Sequence, residues 1–201
     1  KALAEKSVRR GSFTLASGAK SDLYVDAKLT TLDPRCALPV GKSGWELIKR
    51  TAAEMNLRVD AVGGLTMGAD AISLSIGIAA QLDDPANAPR IFNVRKEPKK
   101  HGLSKNIEGN FSTGDSVVVV DDVITTGGST IQAIEKIEGD GGKVAFAIVL
   151  VDRQEQAALY RWSGMSNKVQ LERVVDICRE WRWDDCLAED NGVGKPLIDW
   201  L

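Results

Sequence analysis

The 201-residue sequence has one histidine, His101, and three cysteines, Cys36, Cys178 and Cys186, with no Cys-x-x-Cys pair among them. That scarcity argues against a zinc site and against a disulfide framework. The thiols are expected to be reduced and packed. Long apolar runs are also missing: the longest, 144–151, is too short to cross a bilayer. Residues 1–4 lack the apolar centre of a signal peptide, so a cytoplasmic protein without a membrane partner is expected. Charge of one sign does not dominate either. Twenty-six Lys and Arg against 28 Asp and Glu leave a formal charge of −2, which provides no general field for nucleic acid. Any anion site must therefore be local. Neither Gly-x-x-x-x-Gly-Lys-Ser/Thr nor Gly-x-Gly-x-x-Gly occurs, and there is no Gly-x-Ser-x-Gly elbow. A P-loop nucleotide triphosphatase, a dinucleotide-binding Rossmann unit and a Ser-His-Asp hydrolase are disfavoured accordingly. No repeat, heptad or low-complexity tract is visible.

The composition that remains, 43% apolar and 27% charged, is that of a globular domain, and the length suits one core. Five stretches rich in β-branched or apolar residues, 59–62, 91–94, 117–120, 144–151 and 173–177, read as strands buried on both faces. Helix-like segments lie at 34–57, 67–82, 129–138 and 154–162. Their alternation predicts an α/β fold with a doubly wound, mostly parallel sheet. Before it, 13–18 and 23–26 read as two short strands around a Ser/Gly turn, placed to form a small hood lobe. The expected division is a single domain, with the hood from about residues 1–33 plus part of the C-terminal tail and the core over about 34–180. The polar stretch 96–109, broken by Pro98, Gly102 and Gly109, is long enough to be a functional loop.

The run Ser116-Val117-Val118-Val119-Val120-Asp121-Asp122-Val123-Ile124-Thr125-Thr126-Gly127-Gly128-Ser129-Thr130 carries the strongest chemical signal. It reads as a buried strand ending in two carboxylates, followed by a Thr/Gly turn into a helix. Ligands of open α/β sheets lie beyond the carboxyl ends of the strands, and a helix N-terminus presents free N–H groups and a positive dipole to phosphate. Carboxylates accept hydrogen bonds from ribose hydroxyls and repel phosphate, so the run separates a diol end from a phosphate end. By itself, the aspartate pair could equally be a strand end with a helix N-cap. A second cluster, Arg95-Lys96-Glu97-Pro98-Lys99-Lys100-His101-Gly102, places four cations and the only histidine within seven residues; alone it could be a solvated charged loop. Two further segments are Gly63-Gly64-Leu65-Thr66-Met67-Gly68-Ala69-Asp70, whose backbone N–H groups could cradle an anion, and Val151-Asp152-Arg153-Gln154-Glu155.

The fifteen-residue run closely resembles the motif by which type I phosphoribosyltransferases bind phosphoribosyl pyrophosphate (PRPP). Arg-Lys-Glu-x-Lys-x-His-Gly resembles the catalytic loop of the orotate phosphoribosyltransferases in particular. With the segments at 13–18, 63–70 and 151–155, the resemblance covers about three quarters of the chain. Met67 and Ala16 stand where many relatives have lysine. The resemblance implies the type I phosphoribosyltransferase fold and transfer of phosphoribosyl from PRPP to orotate, giving orotidine 5′-monophosphate and pyrophosphate in de novo pyrimidine biosynthesis. It implies catalytic roles for Lys99, His101, Asp121 and Asp122. It also implies PRPP contacts from those four residues and from Arg95, Lys96, Val123, Ile124, Thr125, Thr126, Gly127, Gly128 and Ser129, and orotate contacts from Thr125 and Arg153. Mg²⁺ would be held mainly through PRPP, without direct protein ligands, and the protein would be a homodimer whose loop serves its neighbour. Two alternatives share the PRPP motif: a phosphoribosyltransferase for another base, and a PRPP-binding regulator without catalysis.

Overall fold

The computed structural model describes residues 2–14, 18, 20–97 and 106–152. The expected helix at 154–162 and strand at 173–177, and the tail's share of the hood, lie outside them.

A short helix α1 (Ala2–Ser7) leads into an antiparallel hairpin, β1 (Val8–Thr14) and β2 (Lys20–Val25), and a four-residue helix α2 (Lys28–Thr31) follows. The first strand begins well before the expected 13–18. Arg9, Arg10 and Gly11 are exposed, so no alternation of apolar and polar residues marks it. Helix α3 (Pro34–Glu54) starts where the sequence predicts, because Asp33 accepts a hydrogen bond from the Arg35 N–H at 2.9 Å and Pro34 occupies the first turn. It ends earlier than expected, at Glu54, since Asn56 adopts a left-handed conformation (φ 50°) that stops the helix.

The main sheet holds β3 (Ala61–Leu65), β4 (Arg90–Val94), β5 (Ile107–Gly109), β6 (Ser116–Ile124) and β7 (Lys143–Asp152) in the order β5-β4-β3-β6-β7. The pairs β4-β3, β3-β6 and β6-β7 are parallel and β5 is antiparallel to β4, so the sheet is mostly parallel, as expected. Strand β5 falls inside the stretch 96–109 taken as a loop, being only three residues long and polar at its centre. Helix α4 (Asp70–Asp83) links β3 to β4, and α5 (Gly128–Gly139) links β6 to β7.

Helices cover both faces. Val62, Val118 and Val120 join Leu47, Ile48, Ile72 and Ile76 of α3 and α4; Ala61, Val117 and Val119 join Ala133, Ile134 and Ile137 of α5. Adjacent strand residues thus point to opposite cores, which is why the valine run has no polar alternation. Each valine of 117–120 is at most 1% exposed, and full burial of such a side chain contributes roughly 1.5–3 kcal/mol. The hairpin lobe rests on the strand ends through Leu3, Val25 and Ala27 against Val151, with Val123 and Leu150 at the edge. Within the lobe, the buried hydroxyls of Ser7 and Thr30 are hydrogen-bonded at 2.7 Å. None of the described helices is long and apolar enough to cross a membrane.

Candidate active site

Parallel strands β3, β4, β6 and β7 present their carboxyl ends on one side of the sheet, and the described parts of the singled-out segments gather there. The acidic pair is not at the end of β6, as the sequence reading had it, but inside it: the strand continues to Ile124. Pairing of Val123 with Val151 and of Ile124 with Asp152 extends the ladder past the carboxylates. The side chain of Val123 packs at the edge of the hood cluster and that of Ile124 against Val149. Both side chains are thus packed away from a ligand, and the Val123 N–H is already given to Asp122 Oδ1.

Asp121 and Asp122 are both buried, and their carboxylates are held differently. Asp121 Oδ2 accepts from the Thr130 hydroxyl at 3.1 Å, and its Oδ1 from the Asp122 N–H at 3.0 Å. Burial pushes the Asp121 carboxyl above the usual carboxylate range; the Asp122 N–H and Thr130 hydrogen bonds oppose that rise without cancelling it. Asp122 Oδ1 accepts from the Val123 N–H at 2.9 Å, and Oδ2 from Lys28 Nζ at 3.0 Å. The turn after β6 leaves Thr125, Thr126 and Ser129 exposed around Gly127, whose φ of 78° is the left-handed conformation that glycine adopts without steric cost. Gly128 opens the twelve-residue α5. The first-turn N–H groups of α5 and these hydroxyls are thus presented within a few residues of the carboxylates, an arrangement suited to an anion.

Gly63 and Gly64 do not form an anion-binding loop. They belong to β3, where a Cβ on Gly63 would lie 2.2 Å from the Phe92 carbonyl oxygen and one on Gly64 2.1 Å from that of Val120. Only 66–69 remain as the connection, with a cis peptide between Thr66 and Met67. Gly68 lies against the acidic pair: a Cβ there would be 2.7 Å from an oxygen of Asp121 and of Asp122 alike. Asp70 opens α4, where a carboxylate suits the helix dipole, but burial raises its pKa and its Oδ1 has no hydrogen-bond partner among the described residues.

Arg95 and Lys96 follow β4. Arg95 extends the pairing with β5 through its N–H to the Asn106 carbonyl at 2.8 Å, and its guanidinium meets Glu108 Oε1 at 2.9 Å. Lys136 of α5 donates to the carbonyls of Arg95 at 2.6 Å and Lys96 at 2.7 Å, tying the root of the basic segment to the helix that follows the acidic strand. Lys96 is exposed. Lys99, His101 and Arg153 lie outside the described residues. Lys28, Glu108 and Lys136 were not singled out by sequence: each acts through a partner far along the chain, and no local pattern marks it.

A phosphoribosyl transferase domain model matches residues 71–170. An orotate phosphoribosyltransferase of Rhodopirellula baltica is 40% identical over 148 residues, 74% of this chain and 76% of that protein. One from Tropheryma whipplei is 44% identical over 170 residues, 83% and 75% of the two chains. Among solved structures, the Mycobacterium tuberculosis orotate phosphoribosyltransferase in complex with PRPP superposes with a TM-score of 0.58 at 33% identity, covering 75% of this chain and 78% of that one. Identity at this level across three quarters of both chains, on the fold the motifs imply, means that the chain belongs to the orotate phosphoribosyltransferase family.

Proposed function

We propose that the protein transfers the 5-phosphoribosyl group of PRPP to orotate, giving orotidine 5′-monophosphate and pyrophosphate in de novo pyrimidine biosynthesis. One observation carries the reading at the level of chemistry: two buried carboxylates stand a few residues before an open Thr/Gly turn that runs into the N-terminus of α5. Asp121 and Asp122 accept hydrogen bonds from the ribose hydroxyls. Backbone and hydroxyl donors of 124–129 take the 5′-phosphate. Arg95, Lys96, Lys99 and His101 favour the departing pyrophosphate, and Thr125 and Arg153 hold orotate, a guanidinium being a planar partner for its carboxylate. The C1′ bond to pyrophosphate loosens, and N1 of orotate attacks with inversion. Positioning and electrostatics, not a covalent intermediate, are the protein's contribution.

The side-chain donors in the last residues of β6 and in the turn after it are carboxylates and hydroxyls, all oxygen, which would suit a hard cation such as Mg²⁺ carried by its substrate. Bound there, Mg²⁺ supplies charge neutralisation on the pyrophosphate. The protein is a cytoplasmic homodimer in this reading. On α4, Leu74, Ile78 and Leu82 recur at four-residue spacing and are 54%, 48% and 71% exposed, an apolar stripe of the kind a subunit contact covers.

Orotate consumption followed by ultraviolet absorbance tests the function. Loss of absorbance that requires both PRPP and Mg²⁺ supports it; none in the presence of all three components overturns it. Sedimentation of wild type and Ile78→Glu tests the assembly, with a dimer expected only for the former.

A further inference from the structure

Among the described residues, Asp122 has a cationic partner and Asp121 has none. Lys28 lies on α2, 94 residues away in sequence, and its Nζ is 3.0 Å from Oδ2 of Asp122 and 3.7 Å from Oδ1 of Asp26. The backbone of Lys28 is fixed as well, its N–H donating to Asp26 Oδ1 at 3.2 Å. Partial burial alone would lower the lysine pKa, but the hydrogen bond and charge of Asp122, reinforced by Asp26, raise it, so the group remains an ammonium.

Docking of the hairpin lobe is already provided for. Leu3, Val25 and Ala27 meet Val151, and the Ser7–Thr30 hydroxyl pair is buried. The Lys28 side chain is 42% exposed, and ion pairs of that exposure add little to stability. What the ammonium does change is the carboxylate it touches. Two adjacent carboxylates near a diphosphate would repel it, and a cation on one of them reduces that field. A carboxylate oxygen accepts more than one hydrogen bond, so Oδ2 of Asp122 can serve Lys28 and a ribose hydroxyl together.

We propose that Lys28 is a positioning residue for PRPP: its ammonium, brought from the hairpin lobe, holds the Asp122 carboxylate toward the ribose hydroxyls and offsets the acidic pair's charge against the diphosphate. This rests on the function proposed above. The lobe thereby sets the charge of the site directly and does more than cover it.

Steady-state kinetics and thermal melting of wild type, K28M, K28R and T30V test the idea, T30V being a control that loosens α2 without altering charge. Wild-type activity is measured first; its absence sinks the function itself. With active wild type, K28M is expected to raise the KM for PRPP at least about tenfold, the scale of a hydrogen bond to a charged group. Its KM for orotate should stay within about twofold and its Tm within about 4 °C. K28R should recover most of the PRPP affinity, and T30V should lower Tm while leaving the KM for PRPP unchanged. An unchanged KM for PRPP in K28M, a K28R as defective as K28M, or a T30V that reproduces the KM rise overturns the proposal. If neither K28M nor K28R folds, Lys28 belongs to lobe docking and the proposal also fails.

Discussion

Two strand–turn–helix units stand side by side in the sheet, β3 into α4 and β6 into α5, and each carries a glycine pair. Their glycines do opposite jobs. Gly63 and Gly64 are buried within β3, where an added Cβ would meet the Phe92 and Val120 carbonyl oxygens at 2.2 and 2.1 Å; glycine there lets backbones approach closely. Gly127 and Gly128 lie at the turn after β6. A Cβ on either would find its nearest atoms at 3.7 and 3.8 Å, and Gly127 needs its left-handed φ. That pair shapes a turn and leaves open space above it. Similar glycine-rich sequence is thus close-packed in one unit and an open turn in the other, and what separates them is whether the pair falls inside or outside the strand.

Substitutions can break this contrast. Gly64→Ala should have the largest effect, at least about 3 kcal/mol of lost stability in urea or thermal unfolding, because the obstacle is a neighbouring strand's backbone and not a side chain that can turn away. Asp121→Asn should be next, lowering turnover about a hundredfold, equivalent to about 2.7 kcal/mol in the barrier. The same variant should gain stability. The carboxyl's pKa is raised by burial in the folded protein, so its contribution is full below its unfolded pKa and is lost as pH rises through the folded one. The melting-temperature advantage of Asp121→Asn over wild type should therefore grow from acid toward neutral pH; an advantage largest in acid would refute the account. Gly127→Ala should cost about 1–2 kcal/mol through its positive φ alone, measured by denaturation. Gly128→Ala, with open space and a helical position, should be smallest and of opposite sign, a gain of at most about 1 kcal/mol. A loss as large as that of Gly64→Ala would erase the distinction between the two units.

Much of this was legible before any coordinates. The valine run 117–120 announces a strand buried on both faces, and the Thr/Gly segment after it a turn into a helix, because those signals are local. Element ends were less legible. Strand β6 runs on through Asp121 and Asp122 to Ile124 since parallel pairing with β7 continues there, overriding the weak strand preference of aspartate. Strand β1 was concealed by exposed Arg9 and Arg10.

The amino-acid sequence by itself determined the alternating α/β order, the family, and the kinds of group gathered at the sheet's carboxyl edge, because apolar periodicity, turn residues and motif spacing act over a few neighbouring positions. Only the tertiary structure decided that Gly63 and Gly64 are packing residues, that Lys28 stands on Asp122, and that Lys136 holds the carbonyls of Arg95 and Lys96. Each of these depends on the distance between segments far apart in the chain, and that distance is set by the layering of helices on the sheet, which no local pattern encodes.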